Sequence, residues 1–186
     1  MPFSALYDAN VLYPFEIRDV LMVAARTGVF RVLWSDDILD ECARNLIKDG
    51  RATQDNMDRM FTVMKKLYPD ATIMGYHNLI PSVTCAPKDR HVLAAAIVGK
   101  ADVIVTYNRK DFPQASVEPH GIEIQDPDEF VRHVLDLAPE TFVDFFRDNA
   151  NRRHKPPVIA DEVAKHLANG MMPVSGAYIL ELLNDS

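Results

Sequence analysis

Over roughly the first two thirds of the chain, short apolar runs alternate with stretches of helical period. Residues 4–8 predict a buried strand, Phe30 to Trp34 a second, 102–107 the clearest strand, and Ile122 to Ile124 a short further one. Between them, apolar residues recur at helical spacing from Ile17 to Thr27, and Gly28 suits the end of that helix. Ser35-Asp36-Asp37 supplies capping residues for a helix to about Lys48, stopped near Gly50. Thr53 caps another, with Met57, Met60, Phe61, Met64 and Leu67 on one face and Pro69 just past its end. A helix is expected from about Asp89 to Gly99. Residues 71–84 hold no clear period and read as one irregular strand at most.

Strands alternating with helices imply βαβ units, a mostly parallel sheet and right-handed crossovers. After about residue 126 the pattern is helical only, near 127–136, 140–150, 158–169 and 174–184, with breaks at Pro139, Pro156-Pro157 and Gly170 to Pro173. The basic cluster Arg152-Arg153-His154-Lys155 marks the expected division: an α/β domain over 1–150 and a C-terminal helical extension over 151–186. Residues 159–180 have the outline of a helix-turn-helix. The second helix, however, carries almost no basic residues, only Glu181 and Asp185, where a DNA reader needs Arg, Lys, Asn or Gln. A packing or partner-binding hairpin is the better expectation.

Composition narrows the class. A chain of 186 residues, 48% of them hydrophobic, suffices for one domain with a full core. Two cysteines, Cys42 and Cys85, in no metal-ligand pattern argue against a disulfide framework or structural zinc. No apolar run is of membrane-spanning length, and Met1-Pro2-Phe3-Ser4 is no signal peptide, so a soluble cytoplasmic protein is expected, with no membrane partner. A net charge of -7 and a pI near 5.3 argue against coating nucleic acid through a global positive field. They do not exclude a nuclease, whose site carboxylates contribute to that acidity.

Candidate chemistry lies in the acids. Asp8 ends the first strand, and Asn10, two residues on, can leave the same side of the chain. Glu41 lies in an acidic helix start, where Asp37 or Asp40 offers a competing register; Asp89 opens a helix, and Asp111 follows the strand 102–107. Sites in parallel sheets lie beyond the carboxyl ends of the strands, where Asp8 and Asn108 sit. Carboxylates gathered there repel one another, and a hard divalent cation is the usual remedy. That points to metal-dependent phosphodiester chemistry; no Ser/His/Asp or Cys/His set offers a covalent nucleophile.

Asp8-x-Asn10, Glu41, Asp89 within Pro87-Lys88-Asp89-Arg90-His91-Val92-Leu93-Ala94-Ala95-Ala96, and Thr106-Tyr107-Asn108-Arg109-Lys110-Asp111-Phe112 occur in an order that resembles the PIN-domain ribonucleases. Within these, the chain is similar to the VapC-type toxins of bacterial toxin–antitoxin pairs, over about residues 3–126. The resemblance implies a three-layer α/β/α fold with a mostly parallel central sheet, and an Mg²⁺- or Mn²⁺-dependent endoribonuclease acting on tRNA or rRNA. It also implies a cognate antitoxin partner. Asp8, Glu41 and Asp89 match the metal-binding acids, with Asn10 supporting the first and Thr106 a neighbouring hydroxyl. The family often has an acid where this chain has Asn108, and Asp111 is the candidate to take over that role.

Arg90, Arg109 and Lys110 are candidates for RNA phosphate contacts, and His91 is a weaker candidate base. The methionine stripe is expected in the core, with a partner groove as the alternative. A homodimer is left open. The rival readings are a catalytically silent PIN-like binding module, suggested by Asn108, and an aspartyl-phosphate protein, which the residues around Asp8 and Lys110 match poorly.

Overall fold

The computed structural model describes residues 3–153 and 157–185. In chain order its elements are β1 (Ser4–Tyr7), α1 (Ala9–Leu12), α2 (Phe15–Arg26), β2 (Arg31–Ser35), α3 (Asp36–Lys48), α4 (Gln54–Leu67), β3 (Thr72–Ile73), α5 (Arg90–Gly99), β4 (Val103–Val105), α6 (Gln114–Val117), β5 (Glu123–Gln125), α7 (Pro127–Leu137), α8 (Pro139–Asn151), α9 (Ala160–Ala168) and α10 (Pro173–Asp185). They form two compact units. One comprises Met1–Pro14 and Arg31–Gln125; the other comprises Phe15–Phe30 and Asp126–Ser186.

The first unit is built on a five-stranded, all-parallel sheet of order β3-β2-β1-β4-β5, with flanking helices, as expected of an α/β/α fold. β1 is central, and all four of its residues are buried. That burial explains why its sequence is a continuous apolar run rather than an alternation. The order reverses between β1 and β4. Crossovers therefore leave β1 in both directions and open a crevice at the carboxyl ends of these two strands.

The local signals explain the helices. Ser35 Oγ accepts from Ile38 N at 3.3 Å, and Ile38, Leu39, Cys42, Ala43 and Leu46 form the buried face of α3. Thr53 Oγ1 caps α4 by accepting from Asn56 N. The methionine stripe on α4 divides. Met57 and Met64 are buried, Met60 and Phe61 are half-buried, and Leu67 is exposed, so its buried part packs in the core.

The segment 71–84 contributes only two ladder residues, paired with Trp34 and Ser35. Gly75, at a φ of +78°, turns the chain out of the sheet, and a 3₁₀ turn, His77–Ser82, follows. A ladder this short has no period to read. Asp89 closes a 3₁₀ turn, Pro87–Asp89, that runs directly into α5. At the other end of α5, Gly99 permits a close approach, since a Cβ there would lie 2.7 Å from Ile73 Cδ1.

The second unit joins α2 to α7–α10. Phe30 and Phe130 pack edge to face at 5.0 Å, and Arg26 pairs with Asp148 at 2.9 Å. Asp128 caps α10, accepting from Val174 N at 2.9 Å and Ser175 N at 2.7 Å. α10 packs against α7, α8 and α9. Of the basic cluster, Arg152 pairs with Asp148 and Arg153 with Asp19, while His154 and Lys155 lie outside the described residues. No helix among the described residues is long and apolar enough to cross a membrane.

Candidate active site

The strand-order reversal places Asp8 beside Thr106. In the β1–β4 register Tyr7 lies opposite Val105, so Asp8 and Thr106 are each the first residue beyond a strand end. Asp8 N donates to Val105 O at 3.1 Å, which holds the two ends together. Asp8 is 2% exposed, and its carboxylate is wired on both oxygens. Oδ1 accepts from Ala9 N at 2.7 Å; Oδ2 accepts from Thr106 Oγ1 at 2.7 Å and from Asn10 Nδ2 at 2.7 Å. Asn10 Nδ2 also lies 2.9 Å from Thr106 Oγ1, and its Oδ1 accepts from Tyr107 N at 3.0 Å. Asn108 joins through its backbone, its N–H donating to Thr106 Oγ1 at 3.0 Å. Burial raises the Asp8 pKa; the Thr106 and Ala9 hydrogen bonds oppose it, and the Glu41 charge adds to it.

Glu41 lies on α3 one turn beyond Asp37, and its Oε2 meets His91 Nε2 at 3.2 Å. The acids of the competing register have other surroundings. Asp37 accepts from Tyr76 Oη at 2.7 Å and meets His77 Nε2 at 3.0 Å, while Asp40 is exposed. The His91 hydrogen bond holds Glu41 below the usual carboxylate range.

Asp89 is 5% exposed, and its Oδ2 is buried without a hydrogen bond. Burial pushes its pKa up to about 6; Lys88 opposes the shift, and the Asp8 and Asp111 charges reinforce it. Asp111, in the loop after β4, receives the Lys88 ammonium at 2.7 Å, and the same Nζ lies 3.6 Å from Asp89 Oδ2. That contact lowers the Asp111 pKa.

The basic candidates separate. Arg109 donates through Nη2 to Ile124 O at 2.9 Å, Lys110 is exposed, and Arg90 is half-buried with its Nε lacking a hydrogen bond. Arg109 also lines a groove of about 690 Å³ beside β5, together with Phe112, Val117 and Ile122. None of the four acids lines it. Two contacts were not anticipated from sequence. Lys88 bridges two acids, its only signal being adjacency to Asp89. His91 partners Glu41 across half the unit's sequence, and such a pairing has no local signature.

Among the described residues, no three Asp, Glu, His or Cys side chains converge as a closed ligand set. The donors offered are nevertheless all carboxylate oxygens, and buried Asp89 Oδ2 makes no close hydrogen bond, its cation Lys88 Nζ standing off at 3.6 Å. Hard divalent cations take such atoms.

Comparison with known proteins bears on the family to which this fold belongs. The family model described as "PIN domain" matches residues 4–110, and one described as "VapC50 C-terminal domain" matches 127–181. A protein of Mycobacterium tuberculosis (strain ATCC 25618 / H37Rv) named "Putative ribonuclease VapC50" is 46% identical over 70 residues. That match covers 38% of this chain and 41% of the relative's length. No solved structure matches at a significant level. With a PIN model spanning more than half its length and a parallel sheet whose central crevice gathers Asp8, Asn10 and Thr106, the chain belongs to the PIN domain family.

Proposed function

We propose that the chain is a divalent-cation-dependent endoribonuclease of the VapC toxin type, and that Asp8, Glu41, Asp89 and Asp111 are its site acids. The observation that carries the reading is Asp89 Oδ2, a buried carboxylate oxygen without a hydrogen bond, in a chain whose Asp8 is fixed at the sheet's switch point. Lys88, 3.6 Å away and closer to Asp111, compensates that oxygen only in part, which leaves it open to a hard cation.

Asp8, Glu41 and Asp89 would hold Mg²⁺ or Mn²⁺, with Asp111 as the fourth acid. Bound there, the ion would supply Lewis acidity towards water and the scissile phosphodiester. The chain's own contribution is placement. Thr106 and Asn10 fix the rotamer of Asp8, and His91 orients Glu41. Arg90, Arg109 and Lys110 lie near enough in sequence to the acids to engage RNA phosphates, although Arg109 also donates through Nη2 to the β5 backbone. With a net charge of -7, long-range attraction for RNA is weak, so recognition rests on such local cations. RNA substrates of the tRNA or rRNA class, a cytoplasmic location and a cognate antitoxin belong to the same reading; the name of the mycobacterial relative supports its ribonuclease and VapC parts alone.

The test is cleavage of tRNA, rRNA and unstructured RNA by the purified chain across an Mg²⁺ and Mn²⁺ series, with chelator and Asp8→Asn as controls. Metal-dependent cutting lost in both controls is expected. A folded protein that cuts none of these RNAs would instead favour the silent module that Asn108 suggests. Co-purification with the neighbouring gene product at low and high salt tests the antitoxin. A stable complex at both is expected, and none at either removes the toxin role but not the nuclease.

A further inference from the structure

Lys88 occupies a place that the nuclease reading leaves unexplained. The 3₁₀ turn Pro87–Asp89 sends two consecutive side chains to different surroundings: Asp89 inward, and Lys88 with 65% of its side chain in solvent. The ammonium nevertheless returns to the acids. It lies 2.7 Å from Asp111 Oδ2 and 3.6 Å from Asp89 Oδ2. The two loops that carry these groups are tied by Ala86 N donating to Asp111 O at 3.1 Å, so the arrangement is set by backbone as well as charge.

A lysine is a compact point charge on a flexible stem, and it has no fork geometry to lock it in place. At an exposed position such a contact is weak and easily exchanged. A divalent ion that recruits Asp111 and Asp89 must take the oxygen that Lys88 now holds. Electrostatically the ammonium is the positive charge that lets these carboxylates stand together before the ion arrives.

We propose that Lys88 is the resident counter-cation of the acid cluster: it holds Asp111 beside Asp89 and competes with the divalent ion for both. The inference rests on the metal-dependent reading above. Its consequence is a threshold, with the site filling only at higher free metal than the same acids would need without the lysine.

The test is Mn²⁺ binding by isothermal titration calorimetry, without RNA, on the full chain, Lys88→Met and Lys88→Arg. Methionine keeps most of the stem and removes the charge; arginine keeps the charge. Lys88→Met should bind up to about fivefold more tightly than the wild type, the scale set by one partly exposed charge pair. Lys88→Arg should stay close to the wild type, within about 1.5-fold, because it retains the competing charge. The Mn²⁺-induced rise in Tm should be largest for Lys88→Met. Equal or weaker binding by Lys88→Met, with the wild type binding, overturns the role of Lys88 and leaves the metal site standing. No Mn²⁺ binding by any of the three overturns both.

Discussion

His91 Nε2 lies 3.2 Å from Glu41 Oε2, and each group shifts the other's titration. The His91 hydrogen bond is the largest cause lowering Glu41 from its ordinary 4.5. Burial works against charge on His91, but the hydrogen bond and charge of Glu41 outweigh it and raise His91 above 6.5. A depressed acid contributes stability that is lost as pH falls through its folded pKa. A raised histidine contributes stability that is lost as pH rises through its folded pKa. The pair is therefore fully formed between about pH 4.5 and 6.5, the two ordinary values. His91→Ala should cost roughly 1 kcal/mol in that window, discounted because Glu41 is 36% exposed, and less above it. Thermal denaturation without metal at pH 5.5 and 8.5 measures this; an equal loss at both would show that charge is not what joins them.

Asp89 shows the opposite sign. Its pKa is raised to about 6, so ionisation there opposes folding, and stability falls as pH rises from the ordinary 3.8 through 6. Asp89→Asn should stabilise the metal-free protein by on the order of 1–2 kcal/mol at pH 7.5 and hardly at pH 4. It should also abolish RNA cleavage. Denaturant titration at the two pH values, with a cleavage assay, checks both halves; a less stable variant at pH 7.5 contradicts the burial argument.

Thr106 is fully buried, and its hydroxyl donates to Asp8. Thr106→Val keeps the shape but removes that donor, together with the acceptor used by Asn10 Nδ2 and Asn108 N. A loss of about 1–3 kcal/mol is expected from the unsatisfied buried groups, with cleavage down by about tenfold or more. Thr106→Ser should recover most of the activity. Failure of serine to rescue would mean that the methyl group matters more than the hydroxyl.

Asp111→Ala should weaken cleavage more than Asn108→Ala, since a carboxylate holds a hard cation more strongly than a neutral amide. Asn108 joins the network through its backbone N–H, which alanine retains. Rate against Mg²⁺ concentration for both variants decides the order, and a raised metal requirement in Asn108→Ala alone would reverse it.

In the second unit α9 and α10 approach closely at Gly176, where a Cβ would lie 2.5 Å from Ala168 N. Backbone cannot yield as a side-chain tip does, so Gly176→Ala should destabilise this unit by about 1–3 kcal/mol. Limited proteolysis and Tm report it; an unchanged Tm would mean that the helices part without cost.

Much of the fold was legible because it is local. The strand at 4–8, the Ser35 and Thr53 caps, the helix ending at Gly99 and the four helices after 126 each leave a signal within a few residues. A central buried strand needs an apolar run, and a helix needs a cap and a 3.6-residue period. The proposal of four site acids comes from their order along the chain and its resemblance to a family pattern, both of which are local sequence features.

Other features come from residues far apart in the chain, and only the tertiary structure decided them. Asp8 and Thr106, separated by 98 positions, meet because the strand order reverses between β1 and β4. His91 reaches Glu41 across 50 positions, and Lys88 turns back onto Asp111. α2 groups with α7–α10 rather than with the strands on either side of it. Sequence alone determined which segments are helix or strand and which residues carry charge, since those follow from nearest neighbours and burial. Which charges become partners depends on strand order and loop closure, and no local pattern encodes either.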